Sequence, residues 1–282
     1  MILLKTATDL SLFLSAKKAQ GLQTGFVPTM GALHEGHLRL VKHSKKNDNV
    51  TIASIFVNPT QFNDPQDFTR YPVTLEKDIY LLEKTGCDLL FLPSVPEIYP
   101  SGMQLNQPYD LGYLETLLEG KYRPGHFQGV CQVVHRLLEL VQPTHLYLGQ
   151  KDYQQCMVIR QLIHLTALPV QLEIVPTKRE SSGLAMSSRN LRLSEKEKET
   201  AAVIYQRLLM IQAGLRPGSL DSLVTEATTA ILAAGFDKID YVSIADAASL
   251  RPVTTWDGQR KLVALVAAFI GGVRLIDNLT LN

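Results

Sequence analysis

Between residues 25 and 180 the chain alternates short β-rich apolar runs with longer segments of helical periodicity, and that alternation permits few folds. The strand-like runs are GFVPT, TIASIFVN, DLLFLPS, THLYLG and VQLEIVPT. Between them lie HLRLVKHSKK, TLEKDIYLLEKTG, FQGVCQVVHRLLELV and DYQQCMVIRQLIHL, several of which stop at Gly or Pro, as helices do. In the second of these, Leu75, Ile79 and Leu82 recur at helical spacing. Parallel neighbours cannot be joined by a tight turn and need a helical crossover, so this pattern predicts a parallel α/β sheet.

After SSRN the texture changes. SEKEKETAAVIYQRLLMIQAG and SLDSLVTEATTAILAAG read as two amphipathic helices separated by LRPGS, and the strand-like runs KIDYVSI, KLVALVAAFI and GVRLIDN follow. The expected fold class is therefore α/β: a Rossmann-like parallel sheet with helices on both faces, plus a smaller C-terminal α+β domain. The break falls near residues 176 to 190, giving domains 1–180 and 181–282. At 282 residues two domains, each with its own core, are comfortable.

Composition narrows the function classes. A formal net charge of +1 offers no footprint for nucleic acid or an anionic membrane. Cys87, Cys131 and Cys156 are odd in number and contain no C-x-x-C pair, which fits a reducing cytoplasm and argues against structural zinc. The opening MILLKTATDLSLFLSAKK has Lys5 and Asp9 among its apolar residues, so it reads as an amphipathic helix rather than a signal peptide. LVALVAAFIGG, the longest apolar run, is about half the roughly 20 residues a membrane-spanning helix needs. A soluble, cytoplasmic protein is expected.

Four motifs end candidate strands or join domains. In MGALHEGH, residues 30 to 37, His34 and His37 are three apart and flank a glycine, whereas helical zinc pairs sit four apart. Gly31 and Gly36 have P-loop spacing, but His37-Leu38 stands where Lys-Ser/Thr is required. What survives is the context of strand, glycine turn and a helix beginning near Gly36, whose N–H groups and positive dipole end favour phosphate. An ordinary turn explains two histidines about as well, and the position after a parallel strand tips the balance toward a nucleotide. SIFVNPTQF places Asn58 and Gln61 at a strand end, where amides can fix a small substrate, although a plain Asn-Pro turn explains Asn58. In LGQKDYQQ, Lys151 at a helix N-terminus opposes the dipole, so an anionic partner is plausible, while Asp152 is explained as an N-cap. GLAMSSRN gathers Ser187, Ser188 and Arg189, the usual donors to phosphate, or else is a polar linker. GKYRPGHFQGV, with Arg123 and His126, is by itself a turn before a helix.

Taken together and in chain order, VPTMGALHEGH, SIFVNPTQF, EGKYRPGHFQGV, GQKDYQQ and GLAMSSRN resemble the pantothenate synthetase (pantoate:beta-alanine ligase) family. The likeness continues to the closing VRLIDN and is far more specific than H-x-G-H alone, which marks only the wider nucleotidyltransferase superfamily. It implies an ATP-dependent condensation of (R)-pantoate with beta-alanine through a pantoyl adenylate, releasing pyrophosphate and then AMP. It also implies a homodimer, a cytoplasmic location, and Mg²⁺ alongside ATP.

By position, the resemblance assigns ATP to Met30, Gly31, Ala32, Leu33, His34, Glu35, Gly36, His37, Gly149, Gln150, Lys151, Asp152, Met186, Ser187, Ser188 and Arg189, with Lys178 contacting it through the main chain. Gln61 and Gln155 would hold pantoate, Gln61 also lying near beta-alanine. His37, with His34, is the catalytic pair. Ser182 stands where the family usually has Asp, and Lys178 where an apolar residue is expected. The runner-up is another small-molecule nucleotidyltransferase that stops at pyrophosphate release; a non-catalytic nucleotide sensor and a tRNA synthetase fit less well.

The chemistry suits these residues. A carboxylate nucleophile is already ionised, so attack on the α-phosphate needs no general base, and the work is positioning and charge stabilisation. His37 would stabilise the transition state and departing pyrophosphate, as an imidazolium or as a neutral N–H donor. Closure of the smaller domain at MSSR would keep water from the acyl adenylate.

Overall fold

The computed structural model describes residues 1–62, 65–105 and 107–282, and divides into two compact units. The first comprises Met1–Gly149 and Val158–Val175; the second comprises Gln150–Met157 and Pro176–Asn282. A single cut in the sequence does not describe this division, because eight residues from mid-chain belong with the C-terminal part.

Six parallel strands form the sheet of the first unit: β1 (Ile2–Leu4), β2 (Thr24–Thr29), β3 (Val50–Ile55), β4 (Leu89–Phe91), β5 (His145–Gly149) and β6 (Gln171–Val175). The helices along this part of the chain are α1 (Ala7–Ala19), α2 (Glu35–Asn47), α3 (Pro65–Thr69), α4 (Leu75–Thr85), α5 (Val95–Ile98), α6 (Leu118–Tyr122), α7 (His126–Val141) and α8 (Tyr153–Thr166), the last belonging to this unit only from Val158 onward. Val27, Ala53, Leu90, Tyr147 and Val175 share a core with Leu40 and Val41 of α2 and Leu82 of α4. Their sequence neighbours Phe26, Ile52, Leu89 and Leu146 point the other way and are just as buried, and α7 packs there on β2. Both faces are covered, which is why these strands read as continuous apolar runs.

The strand order is β1-β4-β3-β2-β5-β6. The chain steps outward from β2 through β3 to β4 and then returns to the other side of β2 as β5. That reversal makes the crevice beyond the carboxyl ends of β2 and β5 the topological switch point, where open α/β sheets bind ligands.

One expectation is corrected at the start of the chain. Ile2–Leu4 is not helical: it pairs in parallel with Leu89–Phe91, and the helix begins only at Ala7, where the Thr6 hydroxyl caps Asp9 N–H at 3.1 Å. The apolar triplet has a sheet edge to cover, a long-range gain that local periodicity does not reveal.

The second unit holds α9 (Glu195–Ala201), α10 (Val203–Gly214), β7 (Gly218–Ser219), α11 (Asp221–Ala233), β8 (Lys238–Asp246), β9 (Thr255–Trp256), β10 (Leu262–Ile270) and β11 (Val273–Thr280). β8, β10 and β11 form an antiparallel sheet in the order β11-β10-β8. Leu262, Ala264, Val266, Ala268 and Ile270, alternate residues of β10, pack with Leu208 and Ile211 of α10 and Ile231 of α11. The first amphipathic segment is two helices rather than one. It loosens at Ala202, whose backbone remains helical (φ −62°, ψ −18°).

Candidate functional site

The β2–α2 turn is built from inside. Thr29 donates its hydroxyl to Ser54 O (2.8 Å) and accepts Gly31 N–H (3.2 Å). Gly31 follows at φ +80°, where a side chain is strained and a Cβ would meet Asp78 Oδ2 at 3.1 Å. Ala32 (φ +48°) and Leu33 then donate their N–H groups to the two oxygens of Asp78, each at 2.8 Å. Asp78 lies in the first turn of α4, is 1% exposed, and takes a third hydrogen bond from the Thr74 hydroxyl at 3.0 Å. Sequence reasoning missed it. The signal was there: a carboxylate beside Ile79 on the stripe Leu75, Ile79, Leu82 has no solvent to face.

His34 and His37 cap α2. His34 Nδ1 accepts Gly36 N–H at 3.1 Å, and His37 Nδ1 accepts His34 N–H at 3.4 Å. An Nδ1 that accepts carries no proton, so the geometry assigns both rings the Nε2–H tautomer. The rings lie 4.1 Å apart. The two imidazoles are thus pinned by the backbone they cap, with their Nε2–H groups as the donors at a helix N-terminus.

A second cluster meets the first. Asn58, buried at the end of β3, accepts from the Tyr99 hydroxyl (2.8 Å) and donates to Gly129 O (3.1 Å) and to the Gln61 side-chain oxygen (3.3 Å). Burial raises the Tyr99 pKa against the opposing hydrogen bonds of Thr60 and Asn58, so the phenol stays a donor. Gln61 Nε2 reaches Met30 Sδ at 2.9 Å, which brings together two residues that the sequence had separated into different motifs. The loop GKYRPGHFQGV also gains a place. His126 Nδ1 lies 2.7 Å from Gln61 O, and Arg123 NH1 lies 3.1 Å from His126 Nε2. A carbonyl only accepts and a guanidinium only donates, so this imidazole is the neutral Nδ1–H form. Gly129 of α7 sits against the Thr60 carbonyl, with no room for a Cβ.

In the second unit, Gln150–Asp152 is one 3₁₀ turn, and Lys151 Nζ lies 3.4 Å from Asp152 Oδ1. Gln155 is half-buried near the start of α8. Residues 178 to 186 form a hairpin: Met186 N–H donates to Lys178 O (3.0 Å), Glu180 N–H to Leu184 O (2.9 Å), and Arg179 pairs with Ala185. Ser182 accepts Leu184 N–H at 3.4 Å within the hairpin's tip, and the Lys178 backbone belongs to its base. Ser187 then caps the turn Ser188–Arg192 by accepting Arg189 N–H at 3.2 Å.

Two residues of the closing VRLIDN, to which the sequence reading gave no role of their own, hold these segments. Asn278 donates to the carbonyls of Gln150 and Lys151 at 2.9 Å each. Asp277 receives Arg179 through NH1 at 2.6 Å and NH2 at 2.9 Å. Among the described residues, no three His, Cys, Asp or Glu side chains are grouped to hold a metal, and no helix is long and apolar enough to cross a membrane.

The sequence model of the pantoate-beta-alanine ligase family matches residues 2–280. The chain belongs to this family. It is 43% identical to the pantothenate synthetase of Cytophaga hutchinsonii over 283 residues, covering 100% of this chain and 99% of that one. The crystal structure of pantothenate synthetase from Thermus thermophilus superposes with a TM-score of 0.91 at 41% identity, over 100% of this chain and 99% of that one. The pantoate-beta-alanine ligase of Francisella tularensis, crystallised with an ATP-type nucleotide and beta-alanine, has a TM-score of 0.80 at 37% identity, over 99% and 97% of the two chains. Members of the pantoate-beta-alanine ligase family are enzymes, and they share the six-stranded parallel sheet with an antiparallel C-terminal region.

Proposed function

We propose that this enzyme condenses pantoate with beta-alanine to pantothenate, driven by cleavage of ATP to AMP and pyrophosphate. The observation that carries the reading is the doubly capped N-terminus of α2 at the carboxyl end of β2, with two imidazoles held as Nε2–H donors, in a chain that matches the ligase family from residue 2 to 280. A carboxylate oxygen of pantoate attacks the α-phosphorus, the bond to the bridging oxygen breaks, and pyrophosphate leaves. The beta-alanine amine then attacks the acyl carbon of pantoyl adenylate, AMP departs with the electron pair, and the amine loses a proton.

ATP takes its donors from Met30–His37, Gly149–Asp152, the Lys178 main chain and Met186–Arg189. His37, assisted by His34, stabilises charge on the transferring phosphate and the pyrophosphate, because a fixed donor in place before reaction costs no reorganisation. Gln61 holds pantoate and adjoins beta-alanine, its backbone tied by His126 and its amide by Met30; Gln155 is the second pantoate ligand. ATP enters as its Mg²⁺ complex, which asks for few protein ligands because Mg²⁺ keeps waters and binds substrate phosphates. The enzyme acts in the cytoplasm as a homodimer, which light scattering reads as twice the chain mass of 31.3 kDa.

The test incubates the protein with Mg²⁺, ATP and pantoate, with and without beta-alanine, and follows pyrophosphate and AMP. Pyrophosphate without beta-alanine and AMP only with it is the expected result. AMP formation indifferent to beta-alanine overturns the reading.

A further inference from the structure

Arg179 and Lys151 are 28 positions apart in sequence, yet both of their segments are fastened to one dipeptide near the end of β11, Asp277–Asn278. Asn278 is 2% exposed. Its amide nitrogen spends both hydrogens on the carbonyls of Gln150 and Lys151, its side-chain oxygen takes the Gln150 amide at 3.3 Å, and its main-chain oxygen takes Arg179 NH2 at 3.3 Å. Asp277 closes the other side as a two-pronged acceptor for Arg179, the geometry in which a guanidinium is most directional. The same guanidinium donates to Gly183 O at 3.1 Å and stacks on the Tyr205 ring at 3.6 Å, so it cannot swing without releasing the hairpin tip. The Asn278 N–H, accepted by Asp277 Oδ1 at 2.8 Å, ties the two anchors to each other. Burial raises the Asp277 pKa, with Arg179 opposing it.

We infer that Asp277 and Asn278 are positioning residues that fix the Gln150–Asp152 turn and the Lys178–Met186 hairpin in one arrangement for the nucleotide. The inference rests on the proposed reading of those two segments as ATP-binding. Neither anchor touches substrate; each acts by setting the backbone from which Lys151 and the Met186–Arg189 turn project. A buried amide whose hydrogens meet two carbonyls has no equivalent in alanine, and Asn278→Ala takes that donor away from both carbonyls. Both segments then loosen from one change on a strand distant in sequence.

Steady-state kinetics of the full-length enzyme test this. In Asn278→Ala the KM for ATP rises about tenfold or more while the KM for pantoate and the kcat at saturating ATP stay within about threefold. Hydrogen exchange speeds up in peptides covering 148–155 and 178–189 together and is unchanged in 262–270. Arg179→Lys keeps the charge but loses the fork and the stacking, and shifts the ATP KM in the same direction; it is the variant read if Asn278→Ala does not fold. A folded variant whose ATP KM stays within about twofold of wild type, or in which both KM values and kcat worsen together with a lowered Tm, overturns the inference. Lys151→Ala separates the two layers. If it weakens ATP while the anchor variants do not, only the positioning role fails; if it leaves ATP binding unchanged, the reading of the segment fails with it.

Discussion

At Asp78, a carboxylate on one helix accepts two consecutive backbone N–H groups from the turn that presents His34 and His37. Asp78→Asn keeps the shape but turns one acceptor into a donor facing a buried N–H. We expect a loss of about 1 to 3 kcal/mol in urea unfolding, the cost of leaving such a group unpaired, with activity falling in step. An unchanged midpoint would mean the turn holds itself. His37→Ala removes a donor the proposed chemistry uses directly, and should slow pyrophosphate release by about a hundred- to a thousandfold, on the order of 2.7 to 4 kcal/mol. A rate within about threefold of wild type removes His37 from the mechanism. The two histidines were legible in the sequence because their spacing and flanking glycines are local. Their protonation pattern was not, since it follows from which backbone N–H each Nδ1 meets.

At the scale of elements, α7 and the turn after β3 show propensity and packing in opposition. Gly129 sits inside a 16-residue helix, where alanine is intrinsically better by about 1 kcal/mol. Yet a Cβ there would fall on the Thr60 carbonyl and 2.9 Å from Gln61 Cα, both of them backbone. Gly129→Ala should therefore destabilise by about 1 to 3 kcal/mol and weaken binding of pantoate, the substrate we propose for Gln61. Thermal unfolding with a pantoate titration checks both; a stabilised variant would show that the helix can back away. Element identity was largely readable from periodicity, because capping and amphipathic spacing act within a few residues. β1 was not, for it is three residues long and exists by pairing with Leu89–Phe91.

Across the whole molecule, the three cysteines are buried and none is in a disulfide among the described residues. Burial pushes the Cys87 thiol up to about 11 and the Cys131 thiol up to about 12. Only the thiolate reacts, so neither should modify in the folded protein at about pH 8, and both should react once it is unfolded. Thiol titration with and without denaturant reads this directly, and fast labelling of the native enzyme would contradict it. By itself the sequence determined the alternating elements, the glycine turn carrying His34 and His37, and the motifs whose company marks the ligase family. The tertiary structure alone decided which strands neighbour β2, that Asp78 would underpin a turn 45 residues away, and that Asn278 would hold carbonyls 127 and 128 residues away. The reason is range. Turns, caps and periodicity are settled between residues a few positions apart, whereas a buried polar group takes whichever partner the chain topology delivers, and a single sequence carries no local trace of that choice.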